Sequence, residues 1–161
     1  MTDDKRDVDF ALLEAQLAAL TETEPDVLAN TANFVGLLFN ALPDINWLGV
    51  YVLRGEELVL GPFQGKAACV RIAMGNGVCG TAAQQRNSLR VADVDAFPGH
   101  IACDPASRSE LVVPLQAGNR LLGVLDIDSP YRDRFTAADQ AGVERLVARY
   151  LACLPGRSAF I

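Results

Sequence analysis

Five short segments with alternating apolar and polar residues occupy the middle of this sequence, and they constrain the fold more than any other feature. In chain order they read NWLGVYVL, ELVLGPF, ACVRIAM, ELVVPLQ and RLLGVLDID. Such alternation is typical of β-strands, because successive side chains of a strand point to opposite faces of the sheet. The breaks RGEE and AGN are short enough for hairpin turns, so we predict a mostly antiparallel sheet.

Helical patterns flank these strands. Apolar residues recur every three or four positions in 8–20 and again in 27–42, and Pro43 closes the second segment. A third helical pattern follows Thr136 and Asp139, which form a variant of the capping box. Between the strands we predict a short helix, a further strand and a long loop, in the segments GVCGTAAQQR, SLRVAD and VDAFPGHIACDPASRS.

These elements predict an α+β domain in which an antiparallel sheet of about six strands is faced by N-terminal and C-terminal helices. The chain has 161 residues, of which half are hydrophobic. That length is enough for one domain with a full core and too short for two comfortable ones. We therefore expect residues 1–161 to form a single domain, with the N-terminal helices in residues 1–43.

Charge and hydropathy limit the partners and the compartment. A formal net charge of -6 argues against a nucleic-acid partner, because phosphate binding needs clustered Lys and Arg. The N-terminus MTDDKRDVDF lacks the apolar run of a signal peptide, and no later stretch approaches the roughly 20 apolar residues that span a membrane. We expect a cytoplasmic protein whose four cysteines are reduced at rest.

The cysteines stand in different local contexts. Cys153, on the last helix, is typical of a small buried hydrophobe, and Cys79 lies at a glycine-rich helix start, where backbone N–H groups could lower its pKa or where it could simply pack. Cys69 falls on the third predicted strand, and Cys103 lies in the polar loop close to His100, the only histidine. Their spacings lack the paired C-x₂₋₄-C knuckle of zinc sites, so the pattern favours redox chemistry over a metal.

The last predicted strand carries two acidic residues. In RLLGVLDID, strict alternation places Leu122, Val124, Asp126 and Asp128 on one face. The two carboxylates then lie side by side, and their repulsion calls for a cationic or hydrogen-bonding partner. The alternative interpretation is a solvated strand end before the next turn.

Two aromatic residues share a face of the first predicted strand in the same way. Trp47 and Tyr51 are four residues apart, and core packing is the alternative explanation for them. If both groups face one cavity, they describe an amphipathic pocket. Carboxylates such as Glu110, Asp126 and Asp128 would hold an ammonium group, and the rings would cover an apolar or sulfur-containing side chain.

Four strings of the sequence together resemble one enzyme family. They are GPFQGKAACVRI, GNGVCGTAA, DVDAFPGHIACDPASRSELVVPL and GVLDIDSP. They are similar to the free methionine-(R)-sulfoxide reductases, a family built on the GAF-type domain, over roughly residues 46–151. By this resemblance Cys103 is the nucleophile, Cys69 resolves it by forming a disulfide, and Cys79 is an additional thiol able to take part in exchange.

The resemblance also implies a substrate pocket and an activity. The pocket residues it implies are Trp47, Tyr51, Glu110, Asp126 and Asp128. The activity it implies is reduction of free L-methionine (R)-S-oxide to methionine through a sulfenic acid at Cys103, with thioredoxin as reductant. No cofactor and no metal are implied, and the protein is a possible homodimer.

Two other classes of function stay open at this point. A GAF-type domain can be a ligand sensor, although a sensor is normally joined to an output domain, for which we expect no room in this chain. A thiol-based redox sensor or peroxide reductase would oxidise Cys103 with peroxide and show no preference for a chiral sulfoxide.

Overall fold

The computed structural model describes residues 7–101, 103–155 and 160–161, and these ranges contain the helices and strands used below. The helices are α1 (Phe10–Thr21), α2 (Val27–Ala41), α3 (Gly77–Gln85) and α4 (Ala137–Ala152). The strands are β1 (Trp47–Arg54), β2 (Glu57–Gln64), β3 (Arg71–Ala73), β4 (Leu89–Val91), β5 (Ser109–Ala117) and β6 (Arg120–Ser129). We expect one domain over residues 1–161, and of these residues 1–6, 102 and 156–159 lie outside the described ranges.

The six strands form one sheet in the order β3-β2-β1-β6-β5-β4. Every neighbouring pair is antiparallel. The hairpins β1–β2 and β5–β6 are joined through the pairing of β1 with β6. These two strands therefore lie in the middle of the sheet. The predicted antiparallel sheet of about six strands is confirmed.

Helices α1, α2 and α4 cover one face of this sheet and form the main core with it. Leu17 of α1, Leu38 of α2 and Leu146 of α4 are fully buried in this core, together with Leu125 of β6. The Thr136 side chain accepts a hydrogen bond from the backbone of Asp139 and completes the predicted capping box of α4. Among the described residues, no helix is long and apolar enough to cross a membrane.

The opposite face of the sheet carries α3 and the long loop between β4 and β5. A smaller apolar cluster lies there, and its buried members include Trp47, Tyr51, Val78, Val112 and Val124. Because three helices already fill the first face, the side chains of β1, β5 and β6 that point the other way are free to line a pocket under α3 and the loop.

The alternation predicted for β6 is wrong at one residue. Leu115 of β5 pairs with Gly123 and Gln116 pairs with Leu121, so Leu122 has no cross-strand partner and forms a β-bulge. The extra residue turns Leu122 into the main core, while Val124 stays on the pocket face. Asp126 and Asp128 keep the predicted alternation because the bulge precedes them.

The strand predicted around Cys69 is shorter than the alternation indicates. β3 pairs with β2 only at Arg71, Ile72 and Ala73, and Cys69 lies in the loop before it. Two hydrogen bonds still fix this loop: the Tyr51 hydroxyl donates to the carbonyl oxygen of Cys69 at 2.9 Å, and the Leu60 N–H donates to that of Val70 at 2.9 Å. The placement of Cys69 on a strand is therefore wrong, although its backbone is held by the sheet.

Candidate active site

A pocket on the face of α3 brings together seven of the eight predicted site residues. They are Trp47, Tyr51, Cys79, Cys103, Glu110, Asp126 and Asp128. The eighth, Cys69, joins the same site through a disulfide with Cys103, whose Cα atom is 5.6 Å from that of Cys69. Residues separated by as much as 81 positions in the sequence thus meet in one place, because β1, β5 and β6 are neighbours in the sheet.

The aromatic wall of the pocket is formed by β1. The rings of Trp47 and Tyr51 stack with centroids 5.9 Å apart, and the indole N–H of Trp47 donates to the carbonyl oxygen of Lys66 at 2.9 Å. Gly49, between them in the strand, makes this possible, since a Cβ there would lie 2.5 Å from the indole ring. The absence of a side chain at this one position therefore lets the indole lie along the strand.

The three acids lie on the adjacent strands β5 and β6. Glu110 of β5 pairs directly with Asp128 of β6. Asp126 of β6 lies between Val112 of β5 on one side and Gly49 of β1 on the other. Glu110 and Asp126 are each only 6% exposed. Like charges directly opposite one another in a sheet are destabilising, so this arrangement favours protonation of the carboxyls or binding of a cation.

Burial and mutual repulsion act on the protonation of all three acids. Burial, and next the charge of Asp128, raise the pKa of Glu110 to about 8. Burial, and next the charge of Glu110, raise the pKa of Asp126 well above its usual range. Burial, and next the charge of Asp126, do the same to the pKa of Asp128. Burial and mutual repulsion therefore both favour the protonated form of these carboxyls.

Cys79 and His100 both approach Glu110. The Cys79 thiol donates to Glu110 Oε1 at 3.7 Å, and His100 Nε2 lies 3.7 Å from Glu110 Oε2. Burial, and next the charges of Asp126 and Glu110, raise the pKa of Cys79 well above its usual range. Of the two interpretations of Cys79, the structure favours packing, because the thiol is buried and its pKa is raised rather than lowered.

The loop that carries Cys103 is fixed by residues that the sequence did not single out for this role. Asn46 Nδ2 donates to Asp104 Oδ2 at 3.0 Å and to Ser107 Oγ at 3.2 Å. Asp104 Oδ1 accepts from the backbone N–H of Ala106 at 2.9 Å, which is an Asx-turn. The Asp-Pro-Ala-Ser run is the sequence signal for such a turn, but its long-range partner Asn46 has none.

Cys153 lies away from this pocket, at the end of α4. It is partly exposed rather than buried, and its Sγ accepts a hydrogen bond from Thr21 Oγ1 at 3.1 Å. A serine can accept the same bond, so we expect Cys153→Ser to change the free energy of unfolding by less than about 1 kcal/mol. Urea unfolding and turnover measured on one preparation check this. A folded variant that had lost turnover would contradict the assignment of this cysteine to structure alone.

Comparison with known proteins bears on the identity of this site. The GAF domain model matches residues 11–153. The free methionine-R-sulfoxide reductase of Escherichia coli (strain K12) is 52% identical over 140 residues, which are 87% of this chain and 85% of that protein. This chain belongs to the free methionine-R-sulfoxide reductase family of GAF-domain proteins.

Solved structures of this family include complexes with substrate. That of fRMsr of Staphylococcus aureus superposes with a TM-score of 0.88 at 46% identity, covering 92% of this chain and 97% of that one. The free methionine-R-sulfoxide reductase of Neisseria meningitidis, in complex with its substrate, gives a TM-score of 0.87 at 39% identity, covering 95% and 92%. The predicted resemblance to the free methionine-R-sulfoxide reductases is confirmed.

Proposed function

We propose that this protein reduces free L-methionine (R)-S-oxide to L-methionine, with Cys103 as the nucleophile and Cys69 as the resolving thiol. The observation that carries the proposal is the disulfide between these two cysteines at a pocket lined by an aromatic pair and three acids. The names and substrate complexes of the relatives support the same reaction.

The two sides of the pocket match the two ends of the substrate. The α-ammonium of the free amino acid is a cation, and the carboxyls of Glu110, Asp126 and Asp128 are its natural partners. Trp47 and Tyr51 offer ring surface to the sulfur and methyl end of the side chain. A bound ammonium lowers the pKa of the nearest carboxyls, so some ionise while another keeps its proton.

The chemical steps then balance as follows. The Cys103 thiolate attacks the sulfoxide sulfur, and a carboxyl of the pocket protonates the sulfoxide oxygen. That oxygen passes to Cys103 as the hydroxyl of a sulfenic acid, while the substrate sulfur takes the electron pair of the S–O bond and leaves as the thioether of methionine. The Cys69 thiol attacks the Cys103 sulfur and displaces water, which forms the disulfide. Two electrons from an external dithiol restore both thiols. Cys79 is the additional thiol that can enter this exchange.

We assign the external dithiol to thioredoxin. Val70, next to Cys69, is 60% exposed, which is unusual for a large apolar side chain and supports docking of a protein reductant beside the disulfide. A cytoplasmic location agrees with a dithiol reductant and with thiols that must be restored after each turnover. We further propose a homodimer, supported by the exposed side chains of Leu12, Leu20 and Leu28 on α1 and α2.

The role of the acids predicts a strict preference for the free amino acid. N-acetyl-methionine sulfoxide amide has no ammonium group, and loss of one partner of a buried charge pair costs about 2 to 5 kcal/mol. We therefore expect kcat/KM to fall by at least about 30-fold for this substrate relative to free methionine-(R)-sulfoxide.

The measurement follows methionine or its derivative by chromatography, with dithiothreitol as reductant so that thioredoxin docking does not enter. The (S) diastereomer of the free amino acid is the matched control for side-chain recognition. Comparable turnover of the free and the blocked (R) sulfoxide would contradict the ammonium-binding role of the acids.

A further inference from the structure

A thiol and two carboxyls of the pocket form a compact donor group. One ligand atom each of Cys79, Glu110 and Asp126 lies within 4.8 Å of the others, and all three residues are buried. We propose that this group is a binding site for a divalent ion of the zinc class, through Cys79 Sγ and one carboxylate oxygen each of Glu110 and Asp126.

The distances suit such an ion. Zinc binds sulfur at about 2.3 Å and oxygen at about 2.0 to 2.2 Å, so neighbouring ligand atoms of a tetrahedral ion are about 3.4 to 3.7 Å apart. Cys79 Sγ and Glu110 Oε1 are already 3.7 Å apart. The longest separation in the group, at most 4.8 Å, needs to shorten by roughly 1 Å.

An unsatisfied oxygen is the second, independent sign of a ligand. Asp126 is 6% exposed, it lines the pocket, and its Oδ1 atom finds no hydrogen-bond partner in the part of the chain that the structure describes. A buried carboxyl oxygen without a hydrogen-bond partner is costly, and a cation bound between Asp126 and Glu110 would remove that cost.

The thiol selects the kind of ion. Thiolate is a soft ligand that favours zinc and cobalt over magnesium and calcium, which prefer oxygen alone. Three protein ligands leave the fourth position of a tetrahedral ion to water. This site does not need the paired C-x₂₋₄-C spacing of a cysteine and histidine zinc site, because two of its ligands are carboxylates that the β5–β6 pairing brings together.

Binding must displace protons, and this gives the site a pH dependence. The ion takes the place of the Cys79 thiol proton and of the carboxyl protons, all of which pass to the buffer, so affinity rises with pH. The other titratable groups that line this pocket are Tyr51 of β1, Asp128 of β6, and His100 and Asp104 of the loop.

The expected effect of the ion on substrate binding rests on the proposed function, whereas the metal site itself does not rest on it. A bound ion occupies the carboxylates assigned to the substrate ammonium, so it excludes substrate from the pocket. Zinc-class ions would therefore compete with substrate for the pocket, both in the reduced enzyme and in the oxidised protein, where Cys69 and Cys103 are joined in the disulfide and cannot bind metal.

The test uses the full chain with the Cys69–Cys103 disulfide closed, and cobalt(II) alone as the probe. The matched background is Cys153→Ser, in which Cys79 is the single free thiol. We expect one cobalt ion per chain and a thiolate-to-cobalt charge-transfer band, and we expect zinc to displace the cobalt. We expect the Cys153→Ser/Cys79→Ser protein to lose this band. We expect the Cys153→Ser/Asp126→Asn protein to bind cobalt at least about tenfold more weakly, because loss of even an outer-shell partner of a metal lowers its affinity by about 10- to 100-fold.

Circular dichroism confirms that each variant is folded before cobalt is added. Absence of a charge-transfer band in the Cys153→Ser protein would overturn the proposal, and so would equal cobalt affinity of the Cys153→Ser and Cys153→Ser/Asp126→Asn proteins. Neither result bears on methionine sulfoxide reduction, which is assayed separately on metal-free protein with its thiols reduced.

Discussion

Replacement of Cys103 by serine is expected to abolish reduction of free methionine-(R)-sulfoxide. The serine hydroxyl is a far weaker nucleophile than a thiolate, and it cannot form the sulfenic acid that carries the sulfoxide oxygen. We expect kcat/KM to fall by at least about 10³-fold, with no methionine released in a single turnover.

Cys69→Ser is the matched variant, because it removes the other half of the same disulfide. It keeps the nucleophile and lacks the resolving thiol, so it should release about one methionine per chain and then stop with Cys103 as a sulfenic acid. Rapid mixing with quench, quantification of methionine and mass spectrometry of the protein measure both products.

Cys153→Ser serves as the control with a cysteine changed outside the pocket. A single-turnover release of methionine by Cys103→Ser would contradict the assignment of the nucleophile. Cys79 would then be the next candidate, because it is the free cysteine that lines the pocket. Steady turnover by Cys69→Ser would instead assign the resolving step to Cys79.

Neutralising either buried acid is expected to have the second-largest effect. Glu110→Gln and Asp126→Asn keep the size of the side chain, and each removes either the proton donor or an ionised partner of the substrate ammonium. General acid catalysis contributes about 10²- to 10⁴-fold, so we expect losses in kcat/KM of that order. Asp128 is less buried, and Asp128→Asn is the matched variant for the effect of charge alone.

The pH profile separates proton donation by Glu110 from binding. Its pKa is raised from the usual carboxyl value to about 8, so the group is protonated and neutral below that pH and loses its proton as the pH rises through about 8. As general acid, Glu110 therefore supports catalysis below about pH 8, and kcat/KM of the wild-type protein falls above it.

Glu110→Gln should lack this falling limb and keep the rising limb that reports formation of the Cys103 thiolate. The substrate ammonium also titrates at alkaline pH, but it does so equally for all variants, so the difference between the wild-type and Glu110→Gln profiles isolates Glu110. If the two profiles differ only by a constant factor, Asp126 is the proton donor rather than Glu110.

The sequence by itself determined the architecture, because local periodicity is set by which face of each element is buried. Alternation in β1 and β6 placed Trp47 with Tyr51 and Asp126 with Asp128, and the structure keeps both pairs on the pocket face. The capping box at Thr136 marked the start of α4 for the same kind of local reason. The resemblance of four strings then named the family and all eight candidate site residues.

Only the tertiary structure decided how those residues act on one another. Leu122 and Cys69 depart from their predicted placement because cross-strand register, which local alternation does not contain, sets the bulge and ends β3. The pKa of Cys79 is raised first by burial and then by the charges of Asp126 and Glu110, which approach it from distant strands. Protonation and metal affinity depend on distances and on exclusion of water, and packing fixes both.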